Sequence, residues 1–314
     1  MREKLSFSNS EIAPVPWADY ELIDSGDYEK LERFGAYITI RPETHASWPK
    51  ALAASVWLEQ AHVRFIETGL TRGTWEVLKP MPSTWTMGYT REAFQLTFNL
   101  ELTKFKHVGV FPEQAANWDF IYAQLKANGA EVPRFLNLFA YTGGASLAAK
   151  AAGADVYHVD SIKQVVSWAR KNMESSQLDN IRWVVEDALK FVQREVKRGS
   201  KYHGIILDPP AFGHGPKGES WKLEKQLEAL LRGVFSLLES EQSFLILNTY
   251  THGFSQSTIG SLAAKICAEQ KRSGHHELAE LVLPARTGSV LPLGVLYRFT
   301  APASARAHSV HETP

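Results

Sequence analysis

The sequence holds a single cysteine, Cys267, in 314 residues. It can therefore form neither an internal disulfide nor a cysteine-ligated metal cluster, and this fits a reducing compartment. No run of 18 apolar residues is free of polar breaks, and Met1 to Ser10 lacks the apolar segment of a secretory leader, so we expect a cytoplasmic, unprocessed chain with no membrane span. Charge of one sign is also missing: 34 Lys and Arg balance 34 Asp and Glu. A partner recognised by bulk charge, such as bare duplex or an anionic membrane, is disfavoured, and any nucleic-acid site must be a local basic patch. There is no internal repeat, and the one biased segment, Pro302 to Pro314, is expected to be a disordered tail. What is present, 44% hydrophobic and 22% charged residues, is the composition of a globular protein with a substantial core.

Before about residue 110 the pattern is of short extended runs cut by turn residues. Tyr20 to Ile23 meets Ser25-Gly26-Asp27, and Tyr37 to Ile40 is stopped by Pro42. His62 to Glu67 and Thr74 to Leu78 flank a glycine turn, and Phe94 to Leu102 alternates as a half-buried strand does. Residues 1–110 thus predict a small β-rich domain or extension, with Trp48, Trp57, Trp75 and Trp85 in its core. From Phe135 onward, short apolar runs alternate with helical stretches, the rhythm of parallel strands with helical crossovers. Strands are expected at 134–139, 155–159, 181–186, 203–207 and 243–248, with helices near 144–152, 162–176, 187–198, 221–238 and 256–272. Glu277 to Leu283 and Gly294 to Thr300 have no helix between them, which predicts an antiparallel end to the sheet. The fold class is α/β, a Rossmann-like sheet with an antiparallel last strand over 111–301, preceded by the β-rich segment.

The first α/β strand leads into Asn137-Leu138-Phe139-Ala140-Tyr141-Thr142-Gly143-Gly144, a glycine turn where such folds bind ligands. Its spacing is not G-x-G-x-x-G, which argues against a nicotinamide cofactor. A ligand without a pyrophosphate, such as S-adenosylmethionine, needs only a turn that an amino acid and a nucleoside can lie against. Three acids then fall where successive strands end: Asp160, followed by Ser161, Asp187, followed by Ala188, and Asp208. Asp160, 17 residues beyond Gly143, is placed to accept the ribose hydroxyls. Asp187 can accept from the adenine amino group, with the Ala188 N–H directed to the ring. Taken singly, each acid could equally cap the next helix. In Asp208-Pro209-Pro210-Ala211-Phe212, two prolines fix the backbone and leave its carbonyls facing a pocket, which suits gripping a planar ring.

With these residues in place, the α/β half resembles a class I S-adenosylmethionine-dependent methyltransferase. More narrowly, it resembles the bacterial 23S ribosomal-RNA large-subunit methyltransferase family, through Asn137-Leu138-Phe139-Ala140-Tyr141-Thr142-Gly143, Val159-Asp160 and Asp208-Pro209-Pro210-Ala211-Phe212. The likeness covers roughly 105–301. It implies S-adenosyl-L-methionine as cofactor, no metal, and ribosomal RNA as partner. It also brings Phe111 and Gln114, from Phe105-Lys106-His107-Val108-Gly109-Val110-Phe111-Pro112-Glu113-Gln114, to the cofactor, with His107 near the methionine carboxylate. Two departures stand out. Cytosine-5 members carry a cysteine after the fifth strand, whereas this chain reads Leu247-Asn248-Thr249-Tyr250-Thr251-His252, and Ala211 replaces a frequent lysine.

Without a thiolate to add at C6, transfer to C5 of a pyrimidine has no nucleophile, and the absence favours a base nitrogen. A ring nitrogen needs no activation, while an exocyclic amine needs a proton acceptor such as Asp208. Asp208, Pro209 and Pro210 are accordingly the expected catalytic residues, although Asp208 could instead hold the pocket's shape. Phe212 and Trp221 are expected to stack on a flipped base, and Lys197, Arg198, Lys201, His203, His214, Lys217 and Lys222 could form a basic rim or merely a solvated face. A methyltransferase of small molecules or proteins, and a cofactor-binding module without turnover, are the alternatives.

Overall fold

Runs such as Phe135-Leu136 and Ile205-Ile206-Leu207 have no polar face, so they are stable only between two layers of helix. The computed structural model, which describes residues 10–69, 72–250 and 254–303, puts them there. Eight strands form one sheet, in the order Ser10–Ile12, His275–Pro284, Val290–Thr300, Phe244–Thr249, Gly204–Leu207, Arg134–Leu138, Asp155–Asp160 and Ile181–Val185. The last five are parallel, and Val290–Thr300 runs antiparallel to both of its neighbours. From Arg134–Leu138 the chain winds outward through two strands and then returns to the other side with Gly204–Leu207. That reversal opens a crevice beyond the strands' carboxyl ends.

Successive strand residues point into opposite layers. Phe135 packs with Trp118, Ile121 and Leu125 of the helix Ala115–Lys126, whereas Leu136 packs on the side of the helix Leu223–Leu237. The helix Ala188–Arg198 buries Ala188, Phe191, Val192 and Glu195, one stripe at helical spacing, and ends at Gly199, whose φ is +69°. Fully buried side chains of this size contribute roughly 1.5–3 kcal/mol each.

The amino-terminal half forms a five-stranded sheet in the order Tyr20–Gly26, Glu29–Phe34, Tyr37–Pro42, Val63–Glu67, Gly73–Val77, and a hairpin of Thr84–Thr90 with Gln95–Glu101. Trp57 and Trp85 are buried, and Trp48 and Trp75 half-buried. The hairpin's Trp85, Tyr89 and Phe98 belong to the same core as Phe135, and Ser10–Ile12 pairs with Ala279 to Leu281 of the large sheet.

Some boundaries differ from those the sequence predicts. Ser25 and Gly26 lie within a strand, because the reversal is made by Asp27 and Tyr28, at φ +50° and +62°, in a two-residue hairpin loop. Pro42 ends the strand Tyr37–Pro42 as expected, two residues beyond Ile40; it lies opposite Glu29, while on the other side Val63–Glu67 pairs only with Thr39 and Ile40. The strand Glu29–Phe34 and the helices Ala54–Gln60 and Ala115–Lys126 add to the elements the sequence predicts. Among the described residues no helix is long and apolar enough to cross a membrane. Of the expected tail, residues 304–314 lie outside the described residues.

Candidate active site

A cavity of about 590 Å³ occupies the crevice, within the range of small-molecule sites. Phe111, Phe139, Tyr141, Asp160 and Ser161 line it, as do Asp187, Ala188, Asp208, Pro209 and Pro210. Gln114, Asn137, Thr142 and Gly143 line a smaller recess that shares Phe111, Phe139, Tyr141 and Asp208 with it. Residues far apart in sequence thus meet because each follows the carboxyl end of a strand or belongs to the loop before the first one.

The turn after Arg134–Leu138 is tightly specified. Phe139, Tyr141 and Gly143 all have positive φ, +56°, +48° and +94°, a conformation that for the two aromatics costs on the order of 1 kcal/mol or more each and must be held by its surroundings. Asp160 holds it: Oδ2 accepts from the Tyr141 N–H and Oδ1 from the Ile162 N–H, both at 2.9 Å. Burial raises this carboxyl above its ordinary range, while those N–H groups act against the shift. The Thr142 hydroxyl donates to the Gly109 carbonyl at 2.6 Å, tying the turn to the preceding loop. A Cβ on Gly144 would sit 2.5 Å from the Trp118 ring, so glycine is what lets this helix start close to its neighbour. Asn137 is turned inward, donating to Ser146 Oγ at 3.0 Å.

Asp187 caps the helix Ala188–Arg198, its Oδ1 accepting from the Lys190 N–H at 2.9 Å, so the capping role and the cavity position coincide in one side chain. Asp208 is held differently. Its closest donor is Gln114 Nε2 at 3.5 Å, and burial, reinforced by the charge of Glu113, raises its carboxyl well above the usual range. Gln114 in turn donates to the Tyr250 hydroxyl at 2.7 Å and accepts from Asn117 Nδ2 at 2.9 Å.

Several expected roles do not match these positions. Trp221 lines the cavity but is only 3% exposed; its Nε1 donates to the Pro210 carbonyl at 2.7 Å and its ring packs on Phe139. It supports the Pro-Pro turn and has no free face for a base. Phe212, 72% exposed at the mouth, has one. His107 packs on the Phe111 ring, and burial with neighbouring cations lowers it to about 3, so it offers no positive charge to a carboxylate. The basic rim divides. His214 lines the cavity, but His203 accepts from the Arg134 N–H, at the amino ends of the strands, and Lys201 donates to the Ser236 carbonyl. The strand Gly204–Leu207 separates these residues from the cavity despite their closeness in sequence.

Glu113, Tyr250, Lys30, Arg41 and Lys106 also line the cavity and were not singled out as site residues. Glu113 and Lys106 lie inside the quoted loop. Lys30 and Arg41 carry no signal in the sequence beyond unusual charge within extended runs.

Cys267 is buried in the helix Gln256–Glu269, with its thiol raised to about 12 by burial. Cys267→Ser should leave catalytic rate within about threefold and lower stability by roughly 1–3 kcal/mol, the cost of burying an unpaired hydroxyl. Steady-state kinetics and thermal unfolding check this. A loss of activity at intact fold would return the thiol to the chemistry.

Comparison with known proteins bears on the family of the chain. The family described as S-adenosylmethionine-dependent methyltransferase matches residues 74–248. Ribosomal RNA large subunit methyltransferase K/L of Shewanella frigidimarina is 28% identical over 161 residues, 50% of this chain and 22% of that protein. Ribosomal RNA large subunit methyltransferase K of Neisseria meningitidis is 24% identical over 229 residues, 69% of this chain and 61% of that protein. The chain thus spans less than two thirds of the length of these curated relatives. A crystal structure of a SAM-dependent methyltransferase from Agrobacterium tumefaciens superposes with a TM-score of 0.83 and 34% identity, covering 94% of this chain and 97% of that one.

Proposed function

The chain belongs to the S-adenosylmethionine-dependent methyltransferase family, and we propose that it methylates a nitrogen of a ribosomal RNA base. The observation that supports this most is Asp208, a half-buried residue on a rigid turn, facing the same cavity as Asp160 and Asp187.

The residues present fit the cofactor. Asp160 and Asp187 offer acceptors for ribose hydroxyls and an adenine amino group, Ile162, Pro209 and Pro210 offer apolar surface, and the Gly143 recess has room for a chain end. S-adenosylmethionine, when bound, supplies an electrophilic methyl group on a sulfonium. The protein's own share is orientation and proton handling. Holding nucleophile and methyl in line can supply roughly 7–11 kcal/mol of the barrier. Asp160 and the strained turn fix one side of the cavity, and the prolines keep Asp208 where it is. An amino nitrogen loses a proton once alkylated, and Asp208, which lines the same cavity, is the acceptor we assign. Because burial raises its proton affinity, Asp208 can take this role only in its ionised form, above an elevated pKa. With Cys267 buried in a helix, the cytosine-5 route has no thiolate among the described residues.

The test is mass spectrometry of ribosomal RNA from a deletion strain, with restoration by the purified enzyme and S-adenosylmethionine. Loss and return of one N-methylated nucleoside is expected. A 5-methylcytosine product would overturn the chemistry, and unchanged RNA would point to a small-molecule or protein substrate.

A further inference from the structure

The wall built by the amino-terminal sheet carries an uneven set of charges. Arg41 reaches Glu32 Oε2 through Nε at 2.9 Å and Nη2 at 2.6 Å, and its Nη1 donates to the Lys106 carbonyl at 3.0 Å. Lys30 Nζ lies 3.2 Å from Glu43 and 3.7 Å from Glu32. Both carboxylates are further engaged, Glu32 by the Tyr20 hydroxyl at 2.9 Å and Glu43 by His45 Nδ1 at 3.0 Å. Lys106 Nζ donates to the Pro42 carbonyl at 3.3 Å and forms no ion pair within 4 Å among the described residues; burial lowers its proton affinity, and the Glu43 charge acts against that shift. Glu113, in the turn Pro112–Gln114, also lines the cavity, but it forms no ion pair with Lys106 within 4 Å. Neutral His107 adds nothing.

Of these three cations Lys106 alone has no carboxylate within ion-pair distance among the described residues, and it stands beside a partly enclosed cavity. Such a charge is costly to keep unless a ligand brings its counterion. On the cofactor placement proposed above, the methionine carboxylate lies in the recess at the glycine turn, beside the amino end of the helix Gly144–Ala151. The anion left for the amino-terminal wall is the substrate's.

We propose that Lys106, backed by Lys30 and Arg41, forms a monoanion subsite that holds a phosphodiester next to the target base. The assignment rests on the RNA reading above and makes the amino-terminal sheet part of the catalytic cavity. Phosphate contacts position a nucleic acid without reading its sequence. One such contact fits a chain with no net charge.

The experiment compares wild type, Lys106→Gln and Lys106→Arg as full-length protein. Methyl transfer is measured on ribosomal RNA purified from the deletion strain, across a salt series. Calorimetry with S-adenosylhomocysteine and with 5′-methylthioadenosine, which lacks the carboxylate, runs in parallel. Lys106→Gln should raise KM for RNA about tenfold, lower the log–log salt slope by about 0.7, and leave both cofactor affinities within twofold. Lys106→Arg should restore most of the loss. If Lys106→Gln weakens S-adenosylhomocysteine and spares methylthioadenosine, the anion is the cofactor's carboxylate and the phosphate assignment falls. Unchanged KM and salt slope in an active enzyme would remove the subsite altogether. Absence of transfer to RNA by the wild type would instead refute the RNA reading itself.

Discussion

Asp208→Asn should lower kcat about 100-fold or more while S-adenosylhomocysteine affinity stays within about threefold. The substitution keeps the shape of the side chain and the flanking prolines, so what it removes is the capacity to accept a proton. A positioned acid or base contributes typically 10²–10⁴-fold to such a step. The pH profile separates this from a packing effect. Burial and the Glu113 charge raise the Asp208 carboxyl, so its ionised, proton-accepting form exists only above an elevated pKa. Activity should fall on acidification from a pH well above the ordinary carboxylate range, and that acidic limb should vanish with Asp208→Asn. Stopped-turnover rates over a pH series, with calorimetry for the inhibitor product, make the measurement. A kcat within threefold of wild type would mean that Asp208 only shapes the pocket. The same result would favour a ring nitrogen, which needs no base, as the methyl acceptor.

Most of the α/β architecture was legible because its signals are local. A strand buried on both faces must be apolar throughout, as Gly204–Leu207 is, and the crossover helices carry their own periodicity, with Asp187 capping Ala188–Arg198. The acids at strand ends could be placed on one edge because parallel strands put all their carboxyl ends together. What the sequence hid depends on pairing between distant segments. In Glu29–Phe34, Leu31 and the flanking Lys30 and Glu32 are all buried, so both faces of a charged strand are covered. Lys30 and Glu32 tolerate this only because Arg41 and Glu43 stand beside them, and one-dimensional spacing does not reveal such neutralisation. Trp221 is hidden for the same reason. Its closeness to the Asp208-Pro209-Pro210 turn was visible, but its burial against Phe139, 82 positions earlier, was not.

Asp160→Ala should weaken S-adenosylhomocysteine binding about 100-fold, with the protein still folded. Two losses combine. The ribose hydroxyls lose a carboxylate acceptor, each charge-assisted hydrogen bond being worth roughly 1.5–3 kcal/mol and not fully additive. The turn loses its anchor as well, because the same carboxylate receives the Tyr141 and Ile162 N–H groups and so holds Tyr141 at positive φ. About 3 kcal/mol lost corresponds to a little over 100-fold. Asp160→Asn gives a graded control. An amide has one acceptor oxygen, so it can satisfy only one of the two N–H groups while its NH2 faces the other, and an intermediate loss of about tenfold is expected. The pH dependence has a fixed sign. Since burial raises this carboxyl, wild-type affinity should decline on acidification sooner than an ordinary aspartate would allow, and neither variant should share that decline. Calorimetry over a pH series, with circular dichroism to confirm the fold, decides the matter. An isotherm unchanged in Asp160→Ala would mean that the carboxylate serves the turn alone, and that the ribose is held elsewhere in the cavity.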